Sequence, residues 1–163
     1  MIKVEIQHGD FDVSAEYRAL CDSAPNAGAI VTFVGLVRDF YDNPDDEESI
    51  DHIELTHYDG MTESLCQQIV GEAHAQYQFD SATVIHRVGK LYSGEQIVLV
   101  AVASRHRDKA FAAAQFIMDY LKTRATLWKK EVGSRGSKWI GLKDKDAHAA
   151  ERWTRAPSTQ KPI

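Results

Sequence analysis

The 163-residue chain carries a formal net charge of −5, and 44% of its residues are hydrophobic and 26% are charged. This composition excludes collagen-like, disordered and coiled-coil proteins. The net negative charge disfavours a protein that binds duplex nucleic acid. No apolar run reaches the ~18 residues that a membrane span needs. The two cysteines, Cys21 and Cys66, exclude a disulfide framework and a four-cysteine zinc site, so we expect a cytoplasmic protein with reduced thiols.

The first half of the chain mixes short strands and helices. The pattern predicts a strand at Lys3 to Gln7, a helix over AEYRALC capped by Ser14, a well-buried strand from Ala29 to Arg38, a strand from Ile53 to Tyr58, and a helix from about Thr62 to Tyr77. Gly35 inside the second strand indicates a bulge or a close approach. Because alternate residues of a strand share a face, Arg38 lies on the same face as the apolar residues before it, at the point where the strand leaves the core.

The second half continues this mixture. We predict strands at Ala82 to Val88 and Gln96 to Ser104, a helix capped by Asp108 that runs to about Thr123 or beyond, a short strand from Lys138 to Leu142, and a helix from Asp144 to Trp153. Irregular alternation with short links favours an α+β fold with mostly antiparallel pairing. We expect one domain over residues 1–153 and a loose tail over 154–163.

Charge is unevenly distributed along the chain. Residues 105–138 contain nine basic and three acidic side chains, whereas six of the ten residues in 42–51 are acidic. The basic region indicates a local anionic ligand or, alternatively, a solvated helix face. The acidic segment reads as an exposed loop, and its spacing does not fit an EF-hand.

Two lysines of the basic region are candidates for chemistry. Phe111, Ala114, Met118 and Leu121 form a predicted core stripe of the helix, and Lys122 follows Met118 by four residues. If the helix continues to Lys129, two turns separate the lysines and both point the same way. Two neighbouring ammonium groups repel each other, which suits a nucleophile, a base or an oxyanion-binding group. The alternative is that both lysines extend from an apolar helix into water.

The segment Ser104-Arg105-His106-Arg107 lies between a buried strand and a helix. Helix N-terminal N–H groups flanked by cationic side chains favour phosphate binding, although a polar turn is the simpler alternative. His57 and His86 lie in predicted strands, read as structural histidines, and have no partner at metal-ligand spacing. Walker A, GxGxxG, HExxH and GxSxG motifs are absent. We therefore expect neither a metal nor a cofactor.

Five segments stand out in order along the chain: VTFVGLVR (31–38), HYDGMTE (57–63), IHRVGKLYSGE (85–95), SRHR (104–107) and FIMDYLKTRATLWKKE (116–131). Together they resemble the large, catalytic subunit of molybdopterin synthase, within a similarity that runs from about residue 2 to Trp153. The resemblance implies a hammerhead-like α+β fold and a dimer of large subunits. It also implies that each large subunit binds one small ubiquitin-like sulfur-carrier subunit, which gives a heterotetramer.

The resemblance further implies a sulfurtransferase. The thiocarboxylated C-terminus of the small subunit would donate sulfur to cyclic pyranopterin monophosphate in two successive steps, and the product would be the molybdopterin dithiolene. By position, Lys122 and Lys129 match the essential lysines of the family, and Arg38 matches its pocket arginine. His106 and Arg107 match a pair that the neighbouring large subunit is expected to supply. Leu36, Val37, Lys130 and Glu131 match segments that line the substrate site.

The sequence departs from the family pattern at two places. Ala125-Thr126-Leu127 replaces the usual Ala-Pro-Phe, and without the proline the helix could run on toward Lys129. Lys143 stands where some relatives have arginine. Two other functions stay open at this point: a non-catalytic module that binds a ubiquitin-like C-terminal tail, and a nucleotide- or RNA-binding domain, which the acidic balance and the missing phosphate loop disfavour.

Overall fold

The computed structural model describes residues 1–38, 50–141 and 143–154. The strands are β1 (Ile2–Gln7), β2 (Ala29–Leu36), β3 (Ile50–Thr56), β4 (Ser81–Arg87), β5 (Gly89–Tyr92), β6 (Gln96–Ser104), β7 (Trp128–Gly133) and β8 (Gly136–Ile140). The helices are α1 (Val13–Ser23), α2 (Met61–Tyr77), α3 (Arg107–Arg124) and α4 (Asp144–Glu151). Most of the acidic segment and most of the expected tail lie outside the described residues, so both expectations stay predictions.

The larger core is built on a sheet with the strand order β1-β4-β6-β2, called sheet A below. β1 is parallel to β4, and β6 pairs antiparallel with β4 and β2. Helices α2 and α3 cover one face by packing small and aliphatic side chains on β4 and β6. Helix α1 covers the other face through Leu20. Because β6 is buried on both faces, its sequence is almost continuously apolar.

A second sheet, called sheet B, has the order β5-β3-β7-β8 and is antiparallel throughout its described strands. One of its faces closes a small apolar cluster that contains Ile53, Leu55, Leu91 and Val37. Val37 follows β2 directly, so this cluster joins the end of β2 to sheet B. The predicted α+β class with mostly antiparallel pairing is confirmed.

The prediction that β2 is well buried is wrong. Among the described strands, β2 lies at the edge of sheet A and pairs with β6 alone. Ile30 and Val34 pack on the core, whereas 43% of Phe33 is exposed. An apolar β-branched run indicated a central strand, but tertiary pairing decides how much of a strand is buried. The bulge predicted at Gly35 is confirmed, because the pairing of β2 with β6 shifts register between Gly35 and Leu36. A Cβ atom at Gly35 would also lie 2.7 Å from the side-chain Cγ1 of Val98.

Some element ends differ from the predictions. Asp12 rather than Ser14 caps α1, and its carboxylate accepts hydrogen bonds from the backbone N–H groups of Ser14 and Ala15 at 2.8 and 3.1 Å. Helix α3 begins at Arg107, so the predicted cap Asp108 lies inside its first turn. Strand β5 was missed because its four residues are too few to show a period.

The buried face of α3 also differs from its predicted stripe. Ala114 and Leu121 are buried as expected, but 62% of Phe111 is exposed. The buried positions include Ala110, Ala113 and Ile117, so the helix is rotated about its own axis relative to the prediction. Within the described ranges, none of the helices has the length and apolar character needed to cross a membrane.

Candidate active site

The C-terminal ends of β2 and α3 lie at the same end of sheet A. Ala29 at the start of β2 pairs with Ser104, the last residue of β6. Helix α3 begins three residues after Ser104 and packs along β6 and β2, so it runs in the same direction as β2. The eight residues of β2 and the eighteen of α3 both span about 26–27 Å. Arg38 and Lys122 are therefore carried to the same end of the molecule.

Val37 anchors the end of β2. Its backbone N–H donates to the carbonyl of Glu95, and its own carbonyl accepts from the N–H of Gly94, both at 2.9 Å. Its side chain is buried in the cluster that β3 shares. Leu36 and Arg38, which flank Val37, are both exposed, so they present side chains at the surface while the backbone between them is fixed.

Lys122 lies in the last turn of α3, and 51% of its side chain is exposed. Its Nζ is 3.6 Å from Oδ1 of Asp146, which lies in the first turn of α4. Lys143 is the N-cap residue of α4 and lies three residues before Asp146 in the chain. The end of α3 and the beginning of α4 thus bring two lysines toward the same end of the fold as Arg38.

The helix does not continue from Lys122 to Lys129, so the predicted two-turn spacing of these lysines is wrong. Ala125 has extended backbone angles, and β7 begins at Trp128. The hydroxyl groups of Thr126 and Thr62 are 2.9 Å apart, which ties the connection between α3 and β7 to α2. This contact needs the hydroxyl group of Thr126 and helps to hold the turn in this chain.

Lys129 and Glu131 share the inner face of sheet B. They pair across the sheet with Leu55 and Ile53, both buried, and directly opposite residues project to the same side. Nζ of Lys129 is 2.7 Å from Oε1 of Glu131, whose side chain is only 9% exposed. Oε1 lacks a partner in hydrogen-bond geometry, so the contact is an ion pair in distance alone. Lys129 therefore has a largely buried counter-charge.

Lys130 projects from the opposite face of sheet B. Its Nζ lies 3.3 Å from Oε2 of Glu54 and 5.9 Å from the centre of the Trp139 ring. The Lys130 ammonium lowers the pKa of the Glu54 carboxyl by hydrogen bonding to it. Since strand residues alternate between faces, the structure does not bring Lys130 together with Lys129 and Glu131.

His106 and Arg107 lie at the other end of α3. His106 is its N-cap residue and Arg107 its first residue, and both are exposed. Arg107 and Lys122 are fifteen residues apart, or about 22 Å along the helix axis. Within one chain the structure therefore does not bring His106 and Arg107 together with Lys122. That a neighbouring subunit supplies them stays a prediction.

The cysteines and histidines outside this region have structural surroundings. Cys66 is fully buried, and burial raises the pKa of its thiol to about 12, which disfavours a thiolate nucleophile. Cys21 lies near the end of α1, within the predicted helix. His86 places its Nδ1 2.8 Å from the carbonyl of Arg87, and burial lowers its pKa to about 4. His57 follows β3 and lies 2.8 Å from Asp59.

Comparison with known proteins decides the family. The sequence model of the MoaE protein family matches residues 6–124. The chain belongs to the MoaE family. A member from Vibrio cholerae, named molybdopterin synthase catalytic subunit, is 49% identical over 93% of this chain and 97% of its own length. The function predicted from the sequence, that of a molybdopterin synthase catalytic subunit, is confirmed, and the chain is part of an enzyme of molybdopterin biosynthesis.

Solved MoaE structures share the fold. The MoaE protein from Burkholderia ambifaria aligns with a TM-score of 0.80 at 40% identity and covers 96% of this chain and 100% of its own. A crystal structure of molybdopterin synthase from Staphylococcus aureus aligns with a TM-score of 0.76 at 28% identity, over 84% of this chain and 96% of that one. The predicted MoaE-type fold is therefore confirmed.

Asp146 is the residue of this region that sequence reasoning missed. Its contact with Lys122 joins two helices that are separated by two strands in the chain. An aspartate in the first turn of a helix interacts favourably with the helix dipole, so the sequence suggests no further role for Asp146. Only the packing of α4 on α3 reveals that it also faces a candidate catalytic lysine.

Proposed function

We propose that this MoaE protein transfers sulfur from the thiocarboxylated C-terminus of a small ubiquitin-like subunit to cyclic pyranopterin monophosphate. Two transfers would give the dithiolene of molybdopterin, through a half-sulfurated intermediate. In each transfer a carbon–sulfur bond forms on the pterin side chain as a carbon–oxygen bond there breaks, its oxygen leaving with the phosphate group or as water. Water then cleaves the carbon–sulfur bond of the carrier, whose tail ends as a carboxylate. We place the protein in the cytoplasm, where its two free thiols would stay reduced.

The observation that carries this proposal is the gathering of cations at one end of an acidic protein. Arg38 lies two residues after the end of β2, and Lys122 lies in the last turn of α3. Lys129 extends from the inner face of sheet B beside the cluster that contains Val37. A thiocarboxylate and a cyclic phosphate are both anions, so one basic site can hold donor and acceptor together. Holding two reactants in one geometry supplies much of the rate enhancement in group transfer.

The residues divide into roles by their surroundings. Lys122, half-exposed, would orient the carboxyl carbon of the incoming tail. Lys129, held by a buried carboxylate, would move protons. Arg38, together with His106 and Arg107 of the neighbouring large subunit, would hold the phosphate, which guanidinium groups bind in bidentate fashion. Leu36 and Val37 would line the substrate site.

The edge of β2 with which no described strand pairs offers a way to assemble this shared site. If two β2 edges pair antiparallel about a twofold axis, the Ala29 end of one strand lies beside the Leu36 end of the other. His106 and Arg107 lie near the Ala29 end, so they would approach Arg38 and Lys122 of the other subunit. This pairing would also cover part of the exposed side chain of Phe33.

Replacing Glu131 by glutamine should lower the rate of sulfur transfer about tenfold, because Lys129 loses the counter-charge that orients it. Glutamine has nearly the same shape, so the strand should keep its packing. Single-turnover assays would measure the rate, and thermal unfolding would confirm the fold. Glu54→Gln, which removes the carboxylate paired with Lys130 on the opposite face, is the matched control and should stay within about twofold of the wild type. Equal losses in both variants would contradict the role given to Lys129.

The proposed reaction is tested by mixing the protein with a thiocarboxylated small subunit and cyclic pyranopterin monophosphate. We expect formation of the dithiolene product with loss of two thiocarboxylates for each pterin. The competing function, a non-catalytic module for ubiquitin-like tails, predicts binding of the small subunit without any product. Product formation that does not depend on this chain would likewise refute the proposal.

A further inference from the structure

The contact between Lys122 and Asp146 links the end of α3 to the beginning of α4. Their charged atoms are 3.6 Å apart, with 51% of the lysine side chain and 21% of the aspartate side chain exposed. A half-exposed lysine has four rotatable bonds, so its ammonium samples many positions unless a partner holds it. In the described structure, the carboxylate of Asp146 is placed to restrict that motion.

Helix α4 is attached to α3 independently of this contact. The indole Nε1 of Trp153 donates to Oδ2 of Asp119 at 2.8 Å, and the Trp153 ring packs edge-on against Phe116, 5.5 Å between centres. None of the eight residues of α4 is itself buried, so these contacts at its C-terminal side hold the helix in place. Asp146 is therefore presented by a docked helix, and its side chain can be changed without releasing α4.

The other candidate catalytic lysine has an analogous arrangement. Lys129 is 2.7 Å from Glu131, a neighbour on its own strand. Each lysine thus has a carboxylate on its own chain, one supplied by β7 and the other by α4. The difference is that Asp146 comes from a separate element, so its contact fixes the ammonium of Lys122 relative to α4 as well as to α3.

We propose that Asp146 is a positioning residue, which holds the ammonium of Lys122 in the orientation that meets the carboxyl group of the incoming tail. The catalytic part of this inference rests on the proposed function of Lys122. When Asp146 is neutralised, Lys122 keeps its charge but loses its fixed direction. The reaction should then slow after both substrates are bound, because fewer complexes have the lysine in place.

Asp146→Asn tests this inference, with Asp144→Asn as the matched control. Asp144 is an exposed residue of the same helical turn, so its replacement removes the same charge from the same region. We expect Asp146→Asn to lower kcat about tenfold with KM and small-subunit affinity within about twofold. Asp144→Asn should leave all three within about twofold, and Asp146→Glu should restore part of kcat.

A second readout does not depend on sulfur transfer. Trace acetylation followed by mass spectrometry reports the reactivity of each lysine, and we expect labelling of Lys122 relative to Lys145 to rise several-fold in Asp146→Asn but not in Asp144→Asn. Unchanged labelling would overturn the contact itself. Raised labelling with an unchanged kcat would overturn the positioning role, as would a lowered unfolding temperature with lost small-subunit affinity. A wild-type protein without sulfur transfer would refute the proposed function and the catalytic use of Asp146, while labelling would still report the contact.

Discussion

Replacing Lys122 by alanine should lower the rate of sulfur transfer by about 10³-fold or more while the small subunit still binds. The reason is that Lys122 lies in the last turn of α3, where its ammonium would meet the carboxyl group of the tail. The body of the small subunit would contact a much larger surface, so its affinity should change little. Single-turnover assays give the transfer rate, and titration calorimetry with the small subunit gives the affinity.

Lys145→Ala is the control for this variant. Lys145 is an exposed residue of α4, next to the contact between Lys122 and Asp146, so its loss removes one positive charge from the same region. If a general positive field attracts the two anions, both variants should be impaired to a similar extent. If Lys122 acts at the reacting group, only Lys122→Ala should fail. Full turnover by Lys122→Ala would refute its catalytic role.

Lys122→Arg separates two ways in which the lysine could act. A guanidinium keeps the positive charge but does not lose a proton near neutral pH and does not act as an amine nucleophile. Activity retained in Lys122→Arg would favour an electrostatic role for the ammonium. Activity lost to the level of Lys122→Ala would favour a role that needs the amine itself or the compact shape of an ammonium.

The sequence predicted the fold class correctly but not the relative geometry of the candidate residues. Strand and helix periods located most elements, because each has one apolar face or an apolar run. They did not reveal that β2 lies at an edge, since the burial of a strand depends on neighbours that are distant in sequence. The exposed side chain of Phe33 belongs to this unpredicted surface.

The spacing argument for the two lysines failed for a physical reason. Helical continuity from Lys122 to Lys129 required Ala125 to Leu127 to stay helical, and the absence of a proline permitted this. A missing breaker does not enforce a helix, however, and the hydroxyl contact of Thr126 with Thr62 instead stabilises the turn. The apolar residues Trp128 and Val132 of β7 are four apart with three charged residues between them, which fits a helix as well as a strand, so the sequence carries no clear signal for β7.

If the active site is shared between subunits, activity should be recovered when two inactive variants are combined in one dimer. Lys122→Ala removes a residue that the proposed site takes from its own subunit, and Arg107→Ala removes one that it takes from the neighbour. In a dimer with one subunit of each kind, one of the two sites lacks both residues and the other is intact. Heterodimers isolated by two different affinity tags should therefore show about half of the wild-type activity, whereas each parent homodimer should be nearly inactive.

The pairing of Lys122→Ala with Lys129→Ala is the control that makes this result specific. Both residues belong to the same subunit's share of the site, so each site of that heterodimer lacks one lysine and activity should stay near zero. Recovery in the control would show that one site takes Lys122 and Lys129 from different subunits. Failure of Lys122→Ala with Arg107→Ala to recover would mean that Arg107 does not serve the neighbouring subunit. Since about 22 Å of helix separates Arg107 from Lys122 in one chain, that outcome would remove Arg107 from the reaction altogether.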